Sequence, residues 1–489
     1  MASKQRPVKP RREPMSRVDT AWLRMCRPTN PMMITGVLML DEPMTLERLK
    51  QLVRQRFLAY PRFRQKAVDT AAGASWVDDV DFDIDWHVCL SALPGRSDPR
   101  SEKRALERFV SQLASTPLDK SKPLWQFHLI ERYHGGSALV ARIHHSYADG
   151  IALVQVLLSL TDTTRTPAKR SELRAAWLKQ DGVEVVRRVG AIDRYVKLGG
   201  RMLGKGMEMY RDPSLATMLA KEGGEIGREL LNALSLSDDP QTLLRGPLGV
   251  SKRVAWAEPL NLDDVKAVGR ACDCTVNDVL MATAAGALRR YLIERGEDVD
   301  GVTLRATVPV NLRPLEHARK LGNHFGLVFL ELPVGEDNPV RRLERVAACM
   351  EQLKNSRQAI VAFGLLAALG MAPTALQGVA LELFSRKATA VATNVPGPQQ
   401  LLYLGGKPVR EMMFWVPQTG SIGIGVSILS YNGRVHFGLI GDARLVPDPD
   451  AVMRHFGPEF EKLLYLALMG NWDYALDAQA AKALVQDAN

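Results

Sequence analysis

The chain has 489 residues, too many for one ordinary hydrophobic core and enough for two domains of roughly 200 residues each. Hydrophobic residues make up 46% and charged residues 24%, a balance that excludes an intrinsically disordered chain and fits a folded, soluble one. The net charge of +10 calls for an acidic partner, and with no RNP, zinc-finger or helix-turn-helix signature present, nucleic acid is set aside in favour of an anionic lipid surface or a phosphate-rich small molecule.

The N-terminal stretch MASKQRPVKPRREP is basic, broken by prolines and without the apolar centre of a secretory signal, so residues 1–15 are expected to form a disordered arm. MMITGVLMLD (32–41) reads as a strand and TLERLKQLVRQRFLAY (45–60) as an amphipathic helix capped by Thr45. A further helix is expected over SEKRALERFVSQLAS, ending near Pro117. A strand follows over SALVARIHH, then a buried helix over GIALVQVLLSLTD. Residues 166–245 carry many charges, two glycine pairs and few β-branched runs, the pattern of a helical connector. It separates two α/β halves, 16–165 and 246–489. The second half opens on a strand at RVAWAEP and two helices. Strands are then expected over TLRATVPVNLR, GLVFLELPV, ATAVATNV, IGIGVSILSY and RVHFGLIGD, the last two joined by a hairpin at Tyr431, Asn432 and Gly433.

Two features bear on the compartment. The five cysteines are scattered, and the one close pair, Cys272 and Cys274, has C-x-C spacing, unlike redox or zinc motifs; a reducing, cytoplasmic setting fits. Residues 359–381 contain no charge over a length that reaches the spanning threshold, but Gly364, Gly370 and Pro373 interrupt them. A buried core segment, an acyl-chain tunnel or an interfacial helix is favoured over a true span.

The chemistry centres on HHSYADG (144–150). If the strand continues to residue 145, His145 shares a face with Ile143 and Ala141 while His144 shares the other with Arg142, so the two imidazoles cannot do the same work. Asp149 stands where a strand gives way to a helix, a capping position, and Gly150 permits close backbone approach. Three readings compete: satisfied core histidines, a metal site, and general-base catalysis. Adjacent strand residues point apart and no H-E-x-x-H or cysteine cluster assists, which disfavours metal. A general base would take the proton of a hydroxyl as it attacks a carbonyl.

H-H-x-x-x-D-G resembles the signature of the CoA-dependent acyltransferase superfamily, which includes chloramphenicol acetyltransferases, condensation domains and plant acyltransferases. PLDKSKPLWQFHLIER (117–132), TVNDVLMATAAGALRRYL (275–292), PVNLRP (309–314), LGNHFGLVF (321–329) and NVPGP (394–398) together resemble the bacterial wax ester synthase/diacylglycerol acyltransferase family, in that family's order and over nearly the full length. The resemblance implies an α/β (α+β) fold of two chloramphenicol-acetyltransferase-like domains, each a mixed sheet with flanking helices, joined by the helical connector with a channel between them. It implies acyl-CoA as donor substrate, with no cofactor, and a fatty alcohol or diacylglycerol as acceptor. His145 would be the base, His144 a supporting residue, and Asp149 a loop-holding residue paired with an arginine, for which Arg313 is the candidate.

Asn277 has a carboxamide able to donate to a developing oxyanion or to fix the imidazole, while its N-D pair also reads as a helix cap. Gly150, Trp125, Asn311, Arg313, Asn323, Asn394, Pro396 and Gly397 are the expected substrate contacts, Trp125 as part of a wall and NVPGP as a rigid turn. A thioester is already activated, so neither a covalent nucleophile nor a metal is required, and G-x-S-x-G is absent. The expected setting is cytoplasmic, with peripheral attachment to the inner membrane face or to lipid droplets. The alternatives are a condensation-type enzyme using a carrier-protein thioester and a non-catalytic lipid-surface protein of the same fold.

Overall fold

In the computed structural model, residues 10–70, 73–94, 98–166, 236–312, 322–356, 358–359, 362–363 and 374–470 are described. The expected connector therefore lies almost wholly outside the described residues, as does Arg313.

The arm expected to be disordered contributes β1 (Arg12–Pro14), because its backbone pairs antiparallel with Ser75–Val77 and Arg62 binds Glu13 at 3.1 Å. After α1 (Arg17–Met25) comes β2 (Met33–Leu40), buried along its whole length. Helix α2 (Leu46–Leu52) is capped by Thr45 as expected, but a π-turn at Val53–Phe57 ends it before residue 60. Strands β3 (Gln65–Thr70) and β4 (Gly73–Asp78) complete a small sheet with β1. Then follow α3 (Ile84–His87), β5 (Val88–Ser91), α4 (Pro99–Ser115), β6 (Trp125–Tyr133), β7 (Gly136–His144), α5 (Gly150–Leu158) and β8 (Thr161–Asp162).

The second half contains β9 (Lys252–Trp256), β10 (Leu260–Asn261), α6 (Leu262–Ala271), α7 (Val276–Glu294), β11 (Leu304–Asn311), β12 (Phe325–Leu332), α8 (Pro339–Asn355), α9 (Thr374–Ser385) and β13 (Ala390–Pro396). It closes with β14 (Tyr403–Leu404), β15 (Lys407–Trp415), β16 (Ile424–Tyr431), β17 (Arg434–Asp442) and α10 (Pro449–Met469). The β16–β17 hairpin turns at Asn432 and Gly433, both at positive φ, as its sequence requires.

Two mixed seven-stranded sheets result. The first runs β5-β6-β7-β2-β15-β14-β8, and the second β10-β17-β16-β13-β11-β12 with β9 also on β17. Strands β14 and β15 come from beyond residue 246, so the second half inserts a hairpin into the sheet of the first, with Trp415 opposite Thr35. Nothing in the local pattern of KPVREMMFW distinguishes that destination.

Strand β7 is buried on both faces, Leu139, Ala141 and Ile143 in the first core and Ala138 and Val140 in the layer beneath α4. A second lock joins the halves at α4. Ser111 and Ser115, one helical turn apart, accept hydrogen bonds from the N–H groups of Val254 and Lys252 at 3.0 and 2.8 Å, so a helix of the first half covers the free edge of β9. Four helical residues and two strand residues advance nearly the same distance, which makes the match possible.

Of the uncharged 359–381 segment, the described part belongs mainly to α9. No described helix is long and apolar enough to cross a membrane.

Candidate active site

The ladder of β7 continues one residue past the strand, His145 N–H donating to the Met32 carbonyl at 2.7 Å, before the chain turns with Tyr147 N–H on the His144 carbonyl. The backbone of the P-L-W segment supports this turn: Leu124 C=O accepts from His144 N–H at 2.9 Å, and Leu124 N–H donates to the Tyr147 hydroxyl at 3.0 Å. Asp149 then caps α5, its Oδ1 accepting from Ala152 N–H at 2.9 Å. Its Oδ2 accepts from His324 N–H at 3.3 Å, so the cap also fastens the heptad to the strand entry of the second sheet. There Ala148 bridges Gly322, whose φ of +117° only glycine adopts without strain.

The two histidines diverge as strand alternation requires. His144 faces inward, and Ser146 N–H and Oγ lie 3.2 and 2.9 Å from its Nδ1. A backbone N–H can only donate, so Nδ1 is the acceptor and the neutral ring carries its proton on Nε2. Burial pushes its pKa down to about 3.

His145 lines a cleft between the sheets. Its ring stacks on Trp22 with centroids 4.3 Å apart, its Nδ1 is enclosed without a hydrogen-bond partner among the described residues, and burial lowers its pKa to about 4 against the opposing pull of Asp149. Both imidazoles are therefore neutral near pH 7.

The far wall of the cleft comes from the second sheet, with Thr307, Pro309 and Asn311 on β11, Phe325 and Leu327 on β12, and Thr393, Asn394 and Val395 on β13; Phe414 and Val416 close it from the first sheet. Among the described residues no lysine or arginine lines it. Of the expected contacts, Gly150, Asn311 and Asn394 line the cleft. A Cβ at Gly150 would meet nothing nearer than Val416 at 4.0 Å, so packing does not demand the glycine.

Other expected contacts lie elsewhere. Trp125 is fully buried in the first core, its indole N–H donating to the Phe63 carbonyl at 2.8 Å and its ring stacked on His87. Large aromatic area is better buried there than left in a channel wall. Pro396 is exposed, and Gly397 sits where a Cβ would come within 2.4 Å of the Ser430 carbonyl, so the NVPGP glycine serves sheet packing. Asn323 stands behind the base: its amide donates to the His145 carbonyl at 2.9 Å and to Asp19 Oδ1 at 2.8 Å. Asn277 does not line the cleft. Thr275 and Asp278 form the capping box of α7, leaving Asn277 Oδ1 to accept from Asn394 Nδ2 at 3.0 Å.

Sequence reasoning missed α1 entirely, although it supplies both Trp22 and Asp19. Ser16-x-x-Asp19 carries the spacing of a capping box, and Asp19 N–H does donate to Ser16 Oγ at 3.1 Å, but the Asp19 carboxylate is buried and turned toward Asn323. Among the described residues no three His, Cys, Asp or Glu side chains converge to hold a metal ion.

Residues 15–280 match the model of the wax ester synthase/diacylglycerol acyltransferase catalytic domain, and residues 321–464 that of the WS/DGAT C-terminal domain. A probable diacylglycerol O-acyltransferase of Mycobacterium tuberculosis is 29% identical over 422 residues, spanning 85% of this chain and 86% of the relative. Among solved structures, a wax ester synthase/diacylglycerol acyltransferase from Marinobacter aquaeolei VT8 superposes with a TM-score of 0.66 at 23% identity, covering 94% of this chain and 100% of the other. The first condensation domain of the calcium-dependent antibiotic synthetase gives 0.57 at 16% identity over 95% and 98%. These two likenesses establish the fold: two chloramphenicol-acetyltransferase-like units.

Proposed function

The chain belongs to the wax ester synthase/diacylglycerol acyltransferase family and is an acyltransferase, and from that premise we propose that it moves a long-chain acyl group from acyl-CoA to the hydroxyl of a diacylglycerol or a fatty alcohol, with His145 as general base and no resident cofactor. The observation that carries this reading is a neutral imidazole set at a cleft whose lining, the Asp149 carboxylate apart, is apolar side chains, hydroxyls and amides. The base takes the acceptor's hydroxyl proton as the oxygen attacks the thioester carbonyl. Collapse of the tetrahedral adduct breaks the C–S bond, and the imidazolium returns the proton to the departing sulfur. His144 supports the turn, and Asp149 holds the loop.

A second, apolar cavity adjoining the cleft supports long chains as the cargo. It meets the first at Trp22, Thr307, Leu327 and Thr419 and is lined mainly by apolar residues, including Phe329, Leu381 and Phe384. Two long-chain substrates need apolar space on both sides of the base. Outside that cavity, Val379 and Leu383 of α9 are 61% and 46% exposed one turn apart, with exposed Arg27 beside Gly378. This apolar face, which carries exposed Glu382 and has Arg27 at its edge, suits peripheral docking at a membrane or lipid-droplet surface from the cytoplasmic side.

A carrier-protein thioester as donor is less favoured, since condensation domains share the fold at 16% identity while both family models belong to the wax ester synthase/diacylglycerol acyltransferase group. A non-catalytic lipid-surface role would leave the enclosed, uncharged His145 without purpose. The test is purified protein with palmitoyl-CoA and, separately, hexadecanol or dioleoylglycerol. Acceptor-dependent CoA release with formation of the matching ester is expected; CoA release that ignores both acceptors would refute the reading.

A further inference from the structure

Resting on the reading of His145 as base, we propose that Asn394 is the oxyanion donor of the reaction and that Asn277 is the positioning residue that aims it. When the acceptor oxygen attacks, the thioester C=O electron pair moves onto oxygen and needs N–H or O–H donors in place. No described lysine or arginine lines the cleft, so neutral donors must serve. The Thr307 hydroxyl is engaged with the Ala390 carbonyl at 3.3 Å. Asn394 shares the cleft with His145 from the opposite sheet, and a carboxamide nitrogen carries two hydrogens.

One of those hydrogens goes to Asn277 Oδ1 at 3.0 Å. With Asn277 Nδ2 turned to Met350 Sδ, its Oδ1 faces the Asn394 nitrogen, whose second hydrogen is left for a ligand. Asn277 is itself held in the first turn of α7, whose capping Thr275 and Asp278 perform without it, and its own Nδ2 rests on Met350 Sδ at 3.9 Å. The pair thus explains why Asn277 stands behind the cleft and not in it. On collapse of the adduct the C=O re-forms, the C–S bond breaks, and the sulfur takes the proton held by His145; Asn394 gains and loses no proton.

The experiment compares Asn394→Asp, Asn277→Ala and Asn277→Asp with the unaltered protein, measuring kcat, KM for palmitoyl-CoA, melting temperature, and binding of a palmitoyl-CoA thioether analogue, which has no carbonyl to polarise. Asn394→Asp keeps the shape and removes the donor, and should lower kcat by roughly a hundred- to a thousand-fold, the range for loss of one such donor. KM and analogue binding should stay within a few-fold. Asn277→Ala should lower kcat less, and Asn277→Asp, which retains the acceptor oxygen, should restore most of it.

Near-normal kcat in Asn394→Asp would overturn the proposal, as would analogue binding that falls in step with kcat, or Asn277→Asp as impaired as Asn277→Ala. If Asn394→Asp does not fold, Asn394→Ala is measured by the same criteria. His145→Ala run alongside separates the two claims: an active His145→Ala refutes the base, whereas an inactive one beside an active Asn394→Asp refutes only the donor.

Discussion

The Trp22 indole lies against the His145 imidazole, ring centroids 4.3 Å apart and planes 28° from parallel. Trp22 also lines both cavities, so one side chain from α1 shields the base and separates the two apolar spaces. This explains how a histidine beside a substrate cleft stays buried enough for its pKa to fall to about 4.

Replacing Trp22 should therefore show in the pH profile as well as in the rate. The base works only when unprotonated, so kcat/KM rises with pH through the base's pKa and is level above it. In the unaltered protein that rise should be complete by about pH 5. In Trp22→Ala, water reaching the ring should move it upward toward the ordinary histidine value of about 6.5. Trp22→Phe, which can keep the stack, should move it less. Profiles of kcat/KM from pH 4.5 to 8 check this; coincident acid limbs in all three proteins would refute the shielding role.

The adjacent histidines make the second prediction. His145→Ala should lower turnover by roughly a hundred- to ten-thousand-fold with little change in melting temperature, because the ring lines a cleft. His144→Ala should cost less rate and more stability, since Ser146 would lose its acceptor and the turn its anchor. Asp149→Ala should lower the melting temperature at least as much as the rate, by removing the α5 cap and the bond to His324, a loss of about 0.5–2 kcal/mol for the cap alone. Turnover beside melting temperature at one pH distinguishes the three. Abolished turnover in a stable His144→Ala, with His145→Ala near normal, would reverse the assignment.

What could be read in the sequence was what local pattern encodes. Alternation predicted β7 and the opposite faces of His144 and His145, a capping residue predicted the start of α2, and Asn432-Gly433 predicted the β16–β17 turn. What escaped depended on distant partners. Strand β15 is not among the expected strands, since KPVREMMFW lacks a clean alternation, and its pairing with β2 is what places it in the first sheet. Trp125 is expected as part of a wall, yet its ring is buried in the first core and what touches the heptad there is the Leu124 backbone. Asp19 carried a capping pattern but serves Asn323, some three hundred residues away, which in turn holds the His145 carbonyl.

The last prediction concerns the α4 lock, where Ser111 and Ser115 hold the edge of β9 and Glu107, one turn earlier, is buried with its Oε1 unpartnered among the described residues. Burial, reinforced by Asp450, pushes the Glu107 pKa up to about 8, against the opposing pull of Lys103, the Trp256 backbone N–H and Arg104. Near neutrality the folded protein therefore holds a proton there that the unfolded chain, with a carboxyl near 4.5, has released. The contribution to stability is fully present below about pH 4.5 and is lost as pH rises toward 8, the folded state binding the extra proton throughout that window. Glu107→Gln keeps the size and cannot ionise. It should match the unaltered protein near pH 4.5 and exceed it in melting temperature by a margin that widens from pH 6 to 8.5. Thermal melts across that range provide the measurement: a constant difference, or one that shrinks with rising pH, would mean that Glu107 is ionised in the folded lock and draws its stability from charge.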